Sequence, residues 1–496
     1  MDLLDVQFFA HGGALLGDLG YPQSWASSRD WEAHWATHNS AWPLEPGLDG
    51  QGIAGRGRLL HVLNAPGVQV LDVEAERWRW NDDLHQWERL PLRVRRLLAL
   101  IETDGQGVLL IDLTRLSGGR QHWRLCRGCG PQWHSSVSQK RQTGTLAGRH
   151  IERGQSVAVP HPELTALAYM DDVYALPDAG DTHWQGSWAF DASAQIWLDV
   201  HALGTSPNTR AYTARSTAVM GTPEASNYNF RTLAWKRDVA AGSTTYVDLA
   251  FEPRLGTSAL KYIGRVKGPG SAAGVDLCTQ AGRRVRLYWS ADERGDIAFA
   301  DGTHLCGALA VVCDEQDQMK NQITGRAAES LYLDGQLQTF EPGATQVGQL
   351  LHVDADACTV EVSGLSAPRP GARLTTPARG RSYLVEGVRE LGDNRWQLQL
   401  DVTPKLGCGR IAHADGHRVM LDAHVLTRTG YLHGAYLHCG DDRYETICHA
   451  YNPDPTCTQL HLDTSTDALK PESPVQVLDC APGDLLDLEW DAHSVR

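Results

Sequence analysis

The chain has 496 residues, with 45 Lys and Arg against 60 Asp and Glu, a formal charge of −15. That length exceeds what one hydrophobic core organises, so two or three domains are expected. The acidity argues against nucleic acid as a partner, which needs a net basic face. No run of 18 apolar residues is present to span a membrane, and no basic stretch leads into an apolar one as a secretory signal requires.

The first segment, "MDLLDVQFFAHGGALLGDLGYP", alternates Leu4, Val6 and Phe8, turns at His11, Gly12 and Gly13, and resumes at Ala14 to Leu16. Alternation closed by a glycine turn predicts a β-hairpin. The same pattern follows in "GRLLHVLN" and "VQVLDVEAERWRW". In "VRRLLALIETDGQGVLLIDLTRL" a polar "TDGQG" joins two apolar strands, a strong hairpin signal. "AQIWLDVHAL" and "TTYVDLAFEP" come next. "LLHVDADACTVEVSGL", "SYLVEGV" and "RWQLQLDV" follow them, and 49 Gly and 23 Pro serve as punctuation. No segment holds a sustained helical period. The expected fold is all-β, a large antiparallel β-sandwich followed by a smaller C-terminal β-domain. A turn-rich link over 325–350 predicts a division into 1–330 and 331–496.

Few residues stand out for chemistry. Asp18 lies at a strand end beside a Gly-Tyr-Pro turn, and His38 follows twenty residues later in "THN". Imidazole and carboxylate suit zinc, but the same residues serve equally as a turn cap and an interior histidine. Eleven cysteines show no disulfide spacing. Cys126 and Cys129 form a lone CxxC without the second pair of a zinc ribbon. His433, His438, Cys439, Cys448 and His449 have a metal-like composition, yet strand alternation spreads them over different faces. The basic groups Arg93, Arg95, Arg96 and Lys140, Arg141, Arg149, Arg153 read as a solvated strand edge and a loop. Arg95 or Arg96 can hold a carboxylate bidentately, but alternation aims them at opposite faces, so at most one does. Trp25, Trp31, Trp35 and Trp42 suit either sugar stacking or core. His11 reads as a turn residue, and His122 in "GGRQHWRL" receives no role.

The ordered series "LDVQFFAHGGALLGDLGYPQSW", "THNS", "VRRLLALIETDGQGVLLIDLTRLSGGRQHWRL" and "STTYVDLAFEP" resembles the β-sandwich region of heparinase II/III-type polysaccharide lyases. The likeness runs through about residues 1–330 and is looser beyond. It implies β-elimination on uronate-containing polysaccharide. In that family a tyrosine and a histidine of a helical toroid act with the first histidine of an His-x-His-x-Asp-x-Leu motif. The motif's second histidine joins an Asp and a later His on zinc. Aligned on that motif, Asp2 and Leu4 take its Asp and Leu, and both histidines fall before Met1. Asp18 and His38 take the remaining zinc positions, so the resemblance implies a truncated or split lyase, with zinc weakly held or absent. Catalytic residues stay unassigned. Arg95, Arg96 and Trp35 are candidate substrate contacts, and Asp18 and His38 candidate metal ligands. The expected partners are an acidic polysaccharide and a separate toroid polypeptide, with neither nucleic acid nor membrane. The full enzyme is expected in the periplasm or secreted. A second reading is a non-catalytic carbohydrate-binding or structural module.

Overall fold

The fold is described from a computed structural model over residues 4–18, 31, 34–45, 53–81, 86–103, 107–130, 132–155, 162–177, 180, 183–191, 195–217, 229–314, 322–340, 345–376, 379–427, 431–440, 443–466, 469–489 and 492–495. Among these residues the chain forms three antiparallel sheets, the first two interleaved in sequence, and two closed barrels.

The opening hairpin forms as the alternation predicts, with strands Phe8–Ala10 and Gly13–Leu16 joined at His11 and Gly12. His11 (φ 50) and Gly12 (φ 80) both take the left-handed conformation the turn needs. This hairpin is one end of the first sheet. Gly13–Leu16 pairs with Gln121–Gly128, followed by Asn229–Asp238, Arg210–Thr217, Asp171–Ala175 and Lys140–Arg141. Ala41–Leu44 also pairs with Gln121–Gly128.

The second sheet runs in order Ile53–Ala65, Val68–Asn81, Gln86–Glu102, Val108–Ser117, Thr244–Leu255, Ile196–Thr205, Trp184–Asp191 and Gln132–Ser135. Its central strands are apolar on both faces because each face meets another layer. Along Val108–Ser117, Leu110 belongs to the core shared with the first sheet. Leu109, Ile111 and Leu113 belong to the core shared with the third sheet. A strand buried on one side only would have alternated; "VLLIDL" does not. The sandwich therefore has three layers.

The third sheet contains Leu260–Lys267, Ala273–Thr279, Arg284–Trp289, His304–Asp314, Gln322–Leu333 and Gln336–Phe340, and Ala492–Val495 closes its edge. Residue 330 thus lies inside a strand of this sheet, and the barrels begin at Thr345–Asp354. The first barrel closes when that strand pairs with Leu485–Glu489. The second barrel is held within it in sequence, from Lys405–Asp415 to Pro474–Leu478. One apolar cluster joins the third sheet to the first barrel, through Leu305 and Leu331 on one side and Leu350 and Val360 on the other.

The outer face of the first sheet is covered as well. Trp31, Trp35, Trp42 and Trp123 pack there with Leu167 of the 3-10 segment Pro162–Tyr169 and with Met170 just after it. Among the described residues, no helix is long and apolar enough to cross a membrane.

Candidate functional site

Three segments remote in sequence meet at the hairpin end of the first sheet. One carries Asp5, just before strand Phe8–Ala10. The second carries Asp18, just after Gly13–Leu16. The third carries His38, at the end of the 3-10 turn Trp35–Thr37. One ligand atom from each of Asp5, Asp18 and His38 lies within 4.8 Å of the other two. His38 Nδ1 sits 3.2 Å from Asp18 Oδ1, with His38 buried at 4% exposure.

Two residues tie these segments together. Asn39 donates from its backbone N–H to Asp5 Oδ1 (2.6 Å) and from Nδ2 to the carbonyl of Gly17 (3.1 Å). Its Oδ1 accepts from the backbone N–H of Arg127 (2.6 Å). Asn39 therefore touches the Asp5 side chain, the residue before Asp18 and the sheet beneath, and is itself the residue after His38. Arg96 does the same from the second sheet. Its Nη1 donates to the carbonyls of Leu4 and of Asn39, the latter at 3.0 Å.

Arg96 is in turn fixed by Asp112, through Nε (2.9 Å) and Nη2 (2.5 Å). The other partner of Asp112 Oδ2 is Arg124 Nη2 at 2.6 Å, and Arg124 reaches back to the carbonyl of Ser40 at 3.1 Å. Burial alone would raise the Asp112 carboxyl, but the Arg96 and Arg124 guanidiniums hold it well below the usual carboxylate range. A buried carboxylate with two guanidiniums is left with a positive remainder, and it stands under the acidic pair Asp5 and Asp18.

Arg127 adds a further buried cation. Its Nη2 donates to the carbonyl of Thr37, while Nε and Nη1 have no hydrogen-bond partner among the described residues. Burial lowers this guanidinium to about 10, with Asp18, Cys129 and Asp5 pulling the other way.

The donor set of one imidazole and two carboxylates fits zinc by type and number. Asp18 and His38, chosen from sequence, are brought together. Asp5 was not chosen, since it reads as an ordinary polar position between Leu4 and Val6. Asp2, aligned on the motif's Asp, lies outside the described residues.

The proposed substrate contacts are placed differently from one another. Arg95 and Arg96 do point to opposite faces. Arg95 is spent on Asp72 (Nη2 to Oδ2, 2.6 Å) and Asp292 (Nη1 to Oδ1, 2.9 Å) between the second and third sheets. Arg96 is fully buried on Asp112. Trp35 is 2% exposed and stacks on Trp42 with centroids 5.8 Å apart. None of the three presents a free surface. Trp25 lies outside the described residues.

The remaining motifs are structural. His122 is bonded on both ring nitrogens, to Thr245 Oγ1 (2.7 Å) and the Gly118 carbonyl (2.6 Å). Cys126 and Cys129 are free thiols, and burial pushes Cys126 up to about 11. In the second barrel His433 meets the carbonyl of Cys448, His438 stacks on Tyr444, and His449 stacks on Tyr451. Among the described residues these groups do not converge as a metal cluster.

Beside Asp5 runs an open groove of about 670 Å³, lined by Val6, Phe8, Phe9, Leu71, Leu100 and Val108 among others. Phe9 is 63% exposed there.

No protein-family model and no curated protein sequence matches the chain. Among solved structures it is similar to the heparan sulfate lyase HepC from Pedobacter heparinus, at 10% identity and a TM-score of 0.33, over 57% of this chain and 36% of that one. It is also similar to a heparinase III structure, at 15% identity and a TM-score of 0.31, over 57% of this chain and 34% of that one. The matched region is about a third of the length of those chains.

Proposed function

We propose that the chain is the β-sandwich part of a polysaccharide lyase that cleaves uronate-containing polysaccharide by β-elimination, with the Asp5–Asp18–His38 corner as the floor of its site. One observation carries the reading. Asp18 and His38, picked out by the sequence resemblance as metal positions, lie twenty residues apart yet meet at 3.2 Å.

β-Elimination needs a base for the proton at C5 of the uronate, an acid for the leaving oxygen, and positive charge near the carboxylate that gathers the developing charge. A bound zinc would add positive charge at this floor. The chain's own contribution is rigidity. Asp112, Arg96, Arg124 and Asn39 hold the corner in one geometry, which is what preorganised electrostatics requires. By the resemblance, the family's proton-transferring groups have no matching positions in residues 1–496. The chain is therefore expected to bind uronate polymer without robust turnover.

The test is gel retardation of the chain in uronate polysaccharide and in a neutral glucan at matched salt, with a parallel assay for unsaturated uronate absorbance. Retardation by the uronate polymer alone, with little product, is the expected result. Equal migration in both gels would overturn the lyase reading and leave a structural module. Rapid product formation would overturn the assignment of proton transfer to groups without counterparts here.

A further inference from the structure

We propose that Asp5 is a metal ligand, the third donor of one site with Asp18 and His38. The inference rests on the assignment of Asp18 and His38 to the site floor. It does not depend on what substrate lies above.

The geometry points to Asp5 in three ways. Its carboxylate lies within 4.8 Å of the ligand atoms of both other residues, which is the reach of donors around one ion. Its Oδ1 is oriented by the backbone N–H of Asn39, while Oδ2 has no hydrogen-bond partner among the described residues. Oxygens of ligating carboxylates are commonly fixed by just such a bond on the other atom. Third, Asp5 also lines the open groove and Asp18 keeps some exposure, so neither carboxylate is sealed from solvent.

The alternative is a purely structural cluster in which Asp5 serves only to accept from Asn39. That role needs one oxygen and no charge. A carboxylate there sets a second negative charge beside Asp18 in a site where His38 is almost fully buried. Like charges so close cost free energy unless a cation lies between them. The buried guanidiniums of Arg124 and Arg127 act on Asp5 through charge, but neither is hydrogen-bonded to it among the described residues.

Two carboxylates and one imidazole leave at least one coordination position open around a tetrahedral ion. The class of ligand is a divalent transition ion that accepts oxygen and nitrogen, zinc above all. Cys129, half-buried and bonded to the backbone of Gly17 beside Asp18, is the rival third donor, and a thiolate would give a different spectrum.

The test uses the full chain, stripped with chelator and titrated with zinc chloride by calorimetry, then with cobalt(II) for its absorption spectrum. Wild type is expected to bind about one equivalent. Asp5→Asn keeps an oxygen for Asn39 and removes the charge. It is expected to melt with wild type in the absence of metal and to bind zinc roughly tenfold or more weaker. Asp18→Asn should lose a similar factor, and the exposed Asp415→Asn none. The cobalt spectrum should show no thiolate charge-transfer band and should not change in Cys129→Ser. Zinc binding unaltered by Asp5→Asn, no zinc binding by wild type, or a thiolate band abolished by Cys129→Ser would each overturn the proposal. None of these readouts involves polysaccharide, so zinc binding without polymer binding would remove the lyase reading alone.

Discussion

Replacing Asp112 by Asn probes the support of the site most sharply. The side chain is fully buried. It receives two bonds from Arg96, one from Arg124 and one from the Thr114 hydroxyl at 2.9 Å. Asn keeps the shape but leaves two buried guanidiniums without a counter-charge. Breaking a buried pair from one side typically costs about 3–5 kcal/mol, because the stranded charge stays desolvated. The loss should sit at the upper end of that range, since one carboxylate serves two arginines. Urea unfolding followed by tryptophan fluorescence reports, through Trp35, Trp42 and Trp123, on the first sheet that Arg124 ties to Asp112. The pH dependence is a second readout. A carboxyl held below its unfolded value stabilises the fold above that value, about 3.9, and the contribution fades as pH falls toward the folded one. The difference between wild type and variant should therefore be constant above about pH 5 and narrow below pH 4. A loss under about 1 kcal/mol, or a gap that widens in acid, would refute the argument.

Asn39→Ala removes the bonds to Gly17 and Arg127 but keeps the backbone donor to Asp5, so zinc affinity should fall about 10-fold with smaller loss of stability; calorimetry on the same titration decides. Trp35→Ala should cost about 3–5 kcal/mol in urea unfolding, as expected for a buried aromatic, and leave gel retardation by uronate polymer unchanged. Gly128→Ala would drive a Cβ into the indole of Trp188 between the first and second sheets, lowering stability by about 1–3 kcal/mol. Under mild alkylation of the native chain, exposed Cys408 should react while buried Cys126, its thiol pushed up to about 11, stays intact; mass mapping of labelled peptides tests this.

Strand content was legible because two-residue alternation and glycine turns are local signals, and the hairpin at His11–Gly12 follows from them directly. Layer count was legible only in part: the consecutive apolar residues Val108 to Ile111 mark a strand covered on both faces, but not by what. Barrel closure was out of reach, since Thr345–Asp354 pairs with Leu485–Glu489 across the whole second barrel. At the site, Asp18 and His38 were found through an ordered motif resemblance. Asp5 escaped because proximity to them depends on Arg96 and Asn39 drawing Leu4 inward. Arg96 looked like a ligand for a substrate carboxylate because its partner is two positions off register: Arg96 faces Thr114 across the ladder, and Asp112 faces Leu98. Such diagonal pairs follow from the register and cannot be read from one strand alone. Trp35 likewise looked available until the outer face of its sheet proved to be covered.

The most direct measurement is a crystal of the zinc-loaded chain with anomalous data at the zinc edge. One peak is expected, enclosed by Asp5, Asp18 and His38, with each donor about 2.0–2.2 Å from it. A peak elsewhere, or density in which the Asp18 and His38 side chains point apart, would contradict that expectation.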